Sequence, residues 1–125
     1  MRVLTLALLL ALGSQARAAE DFSHYWNGVW NAEGTLFSVE VTVEDGRVEL
    51  RQLESLGFQW SSSAGRVAGS IMEFEVDYAG VSGVIRARLE DASTAIVFAR
   101  TCMPDFMVVC VLARDRQARF RKVSD

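Results

Sequence analysis

The chain has 125 residues, 13 basic and 16 acidic side chains, one histidine, two cysteines and a formal net charge of −3. It is too short for two ordinary domains. Half of it is apolar, too much for a disordered chain, and two cysteines are too few for a disulfide-dense mini-scaffold. The slightly acidic balance argues against a protein that coats nucleic acid.

The first residues are a basic tip, Met1-Arg2, and a run from Val3 to Leu12 that is apolar except for Thr5. Gly13 to Ala18 follow and end in Ala16-Arg17-Ala18, a small-x-small site. This order predicts a secretory signal peptide over residues 1–18, cut after Ala18. The apolar run is about 15 Å long as a helix, half a bilayer core, so it is not read as a membrane span. Residues 19–125 then form a single domain of 107 residues. Arg2 and Arg17 leave with the peptide, so 11 basic residues face 16 acids and the net charge becomes −5. The expected location is the periplasm or the exterior.

Asn27 to Ala32 is a first, short strand candidate. In residues 35–43, Phe37, Val39, Val41 and Val43 alternate with Ser38, Glu40 and Thr42. Period two marks a strand with one buried face. Asp45-Gly46 is a hairpin signal, and Val48 and Leu50 alternate with Arg47, Glu49 and Arg51. Phe58 to Ser61 is another short candidate, and Ser61 to Gly65 reads as a loop. Met72, Phe74, Val76 and Tyr78 alternate with Glu73, Glu75 and Asp77. Ala79-Gly80 turns, and Ile85, Ala87 and Leu89 alternate with Arg86, Arg88 and Glu90. Thr94 to Thr101, Met107 to Ala113 and Gln117 to Val123 complete the set, with a turn at Met103 to Phe106.

Eight or nine short strands with short connections predict an all-β antiparallel up-and-down meander barrel, with a β-sandwich as the alternative. The expected inward set is bulky: Phe37, Val39, Val41, Leu50, Trp60, Met72, Phe74, Val76, Ile85, Leu89, Phe98 and Phe120. Only Gly83 and Ala87 clearly leave space. A large lipid cavity is therefore not expected, and a small or end-on pocket is.

Cys102 and Cys110 form an even pair in an exported chain, which predicts a structural disulfide. Equal parity lets it close across neighbouring strands of a hairpin. The stretch from Ala95 to Ala113 is apolar on both strand faces and needs cover from the N-terminal segment, a second copy or a partner.

Asn27-Gly28-Val29-Trp30 has the form Gly-x-Trp at the head of the first strand. With the signal peptide, the meander and a basic last strand, the chain resembles small bacterial lipocalin-like (calycin-type) barrels. The resemblance implies a Trp packed at the closed end and an Arg from the last strand against it, for which Arg119 and Arg121 are the candidates. A second resemblance, of architecture alone, is to small bacterial inhibitors of secreted metalloproteases, which act through an N-terminal tail. Residues Ala19 to Tyr25 would be that tail.

Catalytic constellations are absent from the sequence. His24 is the one histidine, and no metal-ligand spacing, nucleophile elbow or phosphate loop appears. No cofactor and no metal are expected. Arg114, Arg116, Arg119, Arg121 and Lys122 form a basic cluster, read as a charged closing strand rather than a patch for an acidic partner. The functional expectation is an exported, non-catalytic barrel that binds a small apolar ligand at its mouth through Trp30, Trp60, Phe58 and Tyr25. The alternative is a protein-binding module, an inhibitor or envelope partner, that uses the apolar face at residues 95–113 and could self-associate through it.

Overall fold

The structure is a computed structural model that describes residues 22–125. The signal-peptide reading of residues 1–18 lies outside the described residues. A 3₁₀ turn at Phe22–Trp26 precedes eight strands: β1 Gly28–Ala32, β2 Ser38–Glu44, β3 Arg47–Glu54, β4 Trp60–Ala68, β5 Ile71–Tyr78, β6 Val81–Asp91, β7 Thr94–Ala99 and β8 Ala118–Ser124. Each strand pairs antiparallel with the next, and β8 pairs with β1, so the sheet closes in sequence order. The expected up-and-down barrel is thus what forms, and the sandwich is not.

Two hairpins show why the meander is tight. Asp45-Gly46 and Ala79-Gly80 hold positive φ at both central residues, 49° and 76° in one and 50° and 82° in the other. Those are the two-residue turns whose twist matches paired strands. The 3₁₀ turn and the Gly46 and Gly69 turns mark one end of the barrel, called the base here. The loops after β1, β3, β5 and β7 mark the other end, the mouth.

Two segments depart from expectation. Ser61–Gly65, read as a loop, belongs to β4. Its pairing with β3 is limited to Arg47↔Arg66 and Val48↔Gly65, while β2–β3 runs over seven pairs. Above Val48 the two strands part. A run of Ser, Ala and Gly offers little side chain to pack on a neighbour. The register of β4 also shifts between Ser63 and Arg66, with Ala64 at φ 51°, and such a bulge bends its strand.

Met107–Ala113, expected as a strand, instead contains a helix, α1, Val108–Ala113. The register explains this. Ala95↔Phe120 and Val97↔Ala118 pair β7 directly with β8, so no sheet edge is left for residues 107–113. The segment must satisfy its backbone within itself. Val111 N–H donates to Met107 O at 3.0 Å, and Arg114 N–H to Cys110 O at 3.1 Å. Cys102 and Cys110 are bonded, Cα atoms 5.5 Å apart. The expected disulfide is present, but it ties the segment after β7 to α1 instead of spanning a hairpin.

The outer face of β7 is covered by the chain itself. Ile96 points outward yet is only 7% exposed, between its cross-strand neighbours Arg88 and Arg119. Arginine stems cover apolar surface in this way while their charged heads stay in water. Phe98, assigned inward from sequence, shares that outer face opposite Arg86, and Ala95, Val97 and Ala99 face the interior.

Candidate functional site

The barrel encloses a cavity of about 420 Å³ that runs from Trp26 and Trp30 at the base to Phe58, Trp60 and Val109 at the mouth. That volume is within the range of small-molecule sites. No charged side chain lines it, and the residues with polar side-chain groups along it are Tyr78, Thr101 and the tryptophans Trp26, Trp30 and Trp60, whose indole N–H groups are each hydrogen-bonded to protein acceptors. The space arises from one wall. Among the inward positions of β6 and β7, Ala87, Ala95 and Ala99 are small and leave space, whereas at Gly83, expected to leave space, the Thr101 backbone stands where a side chain would be. Of the bulky expected set, all but Leu89 and Phe98 line the cavity, and Leu89 packs against the core, but the small alanines leave the space unfilled. Ala95 and Ala99 were the missing signal. Both faces of β7 are apolar, so its parity was not readable.

The base is closed by two indoles. Trp26 is 1% and Trp30 2% exposed, and their rings lie 5.6 Å apart. Trp30 Nε1–H donates to Trp26 O at 2.8 Å, and Trp26 Nε1–H donates to Gly69 O at 3.3 Å. Each buried indole thus has its hydrogen bond, and the 3₁₀ turn is fastened across the base. Gly28 allows the close approach of β1 to the chain end: a Cβ there would lie 2.4 Å from Ser124 O.

The mouth carries an aromatic belt. Phe37 lies 5.9 Å from Trp60 and 6.1 Å from Phe120, and Phe58 lies 5.7 Å from Tyr78. Trp60 Nε1–H donates to Ser55 Oγ at 3.1 Å. Helix α1 leans over this end, with Val109 and Ala113 on the cavity side. Cys110 is buried at its bridge to Cys102, and Val108, Val111 and Leu112 face out, with Val108 73% and Leu112 57% exposed.

The four residues expected at one mouth are therefore divided. Phe58 and Trp60 are at the mouth, and Trp30 is at the base, where it lines the same cavity from below. Tyr25 does not line the cavity. It stacks beside His24, ring centroids 4.1 Å apart, next to the base. Sequence proximity suggested one cluster, but Trp30 and Trp60 lie on strands that start from opposite ends.

The basic partner of Trp30 is Lys122, not Arg119 or Arg121. Lys122 Nζ lies 5.5 Å from the Trp30 ring centroid, and β8 places the two residues opposite each other on β1. Parity decides this. Lys122 shares its face with inward Phe120, whereas Arg119 and Arg121 face outward. There Arg121 lies 3.5 Å from Glu33, and Arg119 3.4 Å from Glu90. The basic cluster of the last strand is thus largely paired along the outer wall.

Among the described residues no group of three His, Cys, Asp or Glu is placed to hold a metal ion, and no helix is long and apolar enough to cross a membrane. The fold and site define a class: a closed eight-stranded antiparallel barrel around an apolar cavity, consistent with a lipocalin-like fold. In comparisons with known proteins, no family model, no curated protein and no solved structure matches the chain significantly.

Proposed function

We propose that the protein is an exported, non-catalytic, lipocalin-like barrel that holds a small apolar ligand in its interior, between Trp30 at the base and Trp60 at the mouth. The observation that carries this reading is the uncharged cavity of about 420 Å³. Apolar surface around a preformed space rewards an apolar occupant and offers nothing to a charged one. The Gly28-x-Trp30 start with Lys122 against the indole supports the lipocalin-like assignment. The disulfide suits an oxidising compartment. The lining holds no acid–base pair, which favours binding over catalysis.

The test is a fluorescence titration with 1-N-phenylnaphthylamine, a small uncharged apolar probe. The expected result is saturable binding at one site per chain. The Ala99→Phe variant, which fills the cavity wall, weakens it at least tenfold while circular dichroism stays unchanged. Absent or unsaturable binding, or binding indifferent to the filled wall, would overturn the proposal.

A second reading has its own observation. Phe106, Val108, Val111 and Leu112 are all more than half exposed on and beside α1. A surface of this kind suits a protein partner or a second copy. Sedimentation of the protein over a hundredfold concentration range checks the second copy: a Phe106→Ser/Leu112→Ser variant that sediments like the parent monomer removes it.

A further inference from the structure

The chain between β7 and β8 is fastened at its foot and loose above it. Ser82 N–H donates to Met103 O at 2.9 Å, and Met103 N–H donates to Ser82 O at 2.8 Å, which seats Met103 on the start of β6. Thr101 lies as close to that strand: a Cβ on Gly83 would meet its carbonyl oxygen at 2.5 Å. Cys102, between the two, therefore belongs to the barrel wall, and it lines the cavity.

From Pro104 to Arg116 the wall no longer holds the chain. Among the described residues, every hydrogen bond made by this stretch stays within it, and no ion pair joins it to the barrel. Met107 N–H donates to Pro104 O, Cys110 and Val111 N–H to Met107 O, Arg114 N–H to Cys110 O and Arg116 N–H to Ala113 O. Helix α1 has six residues, and helices shorter than about 12–15 residues are marginal in water by themselves. Its packing on the barrel is thin. Val109 lines the cavity yet is 36% exposed, and Cys110 is the one buried residue of the helix. The disulfide thus joins the fixed wall, at Cys102, to the loose segment, at Cys110.

That segment stands over the way out. The base is plugged by Trp26 and Trp30, whose indole N–H groups are both hydrogen-bonded. At the other end Val109 and Ala113 lie on the cavity side of α1.

We infer that residues 104–116 are a lid and that the Cys102–Cys110 bridge is its latch, so that thiol–disulfide exchange sets how fast the cavity exchanges its contents. This rests on the cavity reading above and adds the route of entry and its control. In an oxidising compartment the bridge stays closed and the lid stays down. A dithiol reductant opens it in two exchanges. Its thiolate attacks one sulfur of the bridge, the S–S bond breaks, and the other sulfur leaves as a thiolate that takes up a proton. The second thiol of the reductant then displaces the first sulfur. The reductant ends as a disulfide, and Cys102 and Cys110 end as thiols. The freed segment then moves between its two fixed ends, Met103 and Ala118. A gate of this kind obstructs entry and exit alike, so it changes rates more than affinity.

The experiment measures binding and release of 1-N-phenylnaphthylamine by stopped-flow fluorescence, release being started by dilution. It compares the bridged parent, the parent reduced with dithiothreitol and Cys102→Ser/Cys110→Ser. Both unlatched forms are expected to bind and release the probe at least tenfold faster, with Kd within threefold of the parent, and reoxidation of the reduced parent restores the slow rates. Urea that takes the same stability from the bridged parent is expected to leave both rates within twofold, which separates the latch from general loosening of the fold. Faster release with unchanged binding would make α1 a wall of the site and not a gate. Equal rates with and without the bridge would place the exit elsewhere, as along the unpaired stretch of β3 and β4. Either result, or an equal acceleration by urea alone, overturns this inference and leaves the cavity reading standing. Failure of the probe to bind any form overturns both.

Discussion

Lys122 and Arg121 are adjacent, yet the fold gives them different work. The Lys122 side chain is 11% exposed and lies against Trp30, while that of Arg121 is 61% exposed beside Glu33. A partly desolvated cation–π contact contributes about 1 kcal/mol, and an exposed ion pair often contributes little. Lys122→Gln is therefore expected to lower unfolding free energy by about 1 kcal/mol, and Arg121→Gln to stay within about 0.5 kcal/mol of the parent. Urea denaturation of both variants checks the contrast. From sequence, five basic residues near the C-terminus were indistinguishable in kind, and the choice between them rested on parity. Phe120 supplied the parity correctly. It pointed to Lys122, and the expectation of an arginine obscured it.

Glu73 gives a residue-scale prediction in pH. It lies on the outer wall, where Arg86 Nε is 3.2 Å and Arg100 Nε 2.7 Å from its carboxylate. The hydrogen bond from Arg86, with the charge of Arg100 beside it, holds the carboxyl below the usual glutamate range against a smaller opposing effect of burial. A carboxyl depressed on folding stabilises the fold above its unfolded pKa, and that stabilisation fades as pH falls through the folded value. Glu73→Gln is expected to lower the Tm at neutral pH and to converge with the parent in acid, below the carboxylate range. Parallel thermal scans across pH test this. A Tm difference that persists in acid would assign the effect to something other than charge.

At the scale of elements, β4 and α1 are where sequence and structure part. The alternating strands β2, β3, β5 and β6 were legible because one polar face fixed their period and Asp45-Gly46 and Ala79-Gly80 fixed their turns. β4 was obscured by Ser61, Ser62 and Ser63, which are equally suited to a loop. α1 was obscured because Val108-Val109-Cys110-Val111-Leu112-Ala113 is apolar throughout and too short to show a period. Only the direct β7–β8 pairing settles it. Gly65→Ala places a methyl group against Val48 O and is expected to cost about 1–3 kcal/mol, as overpacking does. Removing the bridge with Cys102→Ser/Cys110→Ser releases a short loop and is expected to cost about 2–3 kcal/mol. Chemical denaturation measures both. For the bridge variant, hydrogen exchange should also quicken in residues 103–114 more than in β5 or β6.

On the scale of the whole molecule, the barrel is a container with unequal walls. Ala87, Ala95 and Ala99 on β6 and β7 leave space beside the larger inward side chains, and two indoles close the base. The container was legible in the sequence, since period two and short turns leave few ways to bury eight strands. The space inside it was less legible, because it depends on which face of β7 turns inward, and only register reveals that. The division of the aromatics between base and mouth depends on strand direction in the same way. Trp30→Ala opens the base and removes a buried indole, which is expected to cost about 3–5 kcal/mol, measured by urea unfolding.

The most direct test of the central claim is a crystal structure grown with 1-bromododecane and recorded at the bromine absorption edge. An anomalous bromine peak is expected inside the barrel, with the alkyl chain between Trp30 and Trp60 and against Ala95 and Ala99. A bromine peak confined to the outer face near Phe106 and Leu112, with the interior filled by protein side chains, would contradict it.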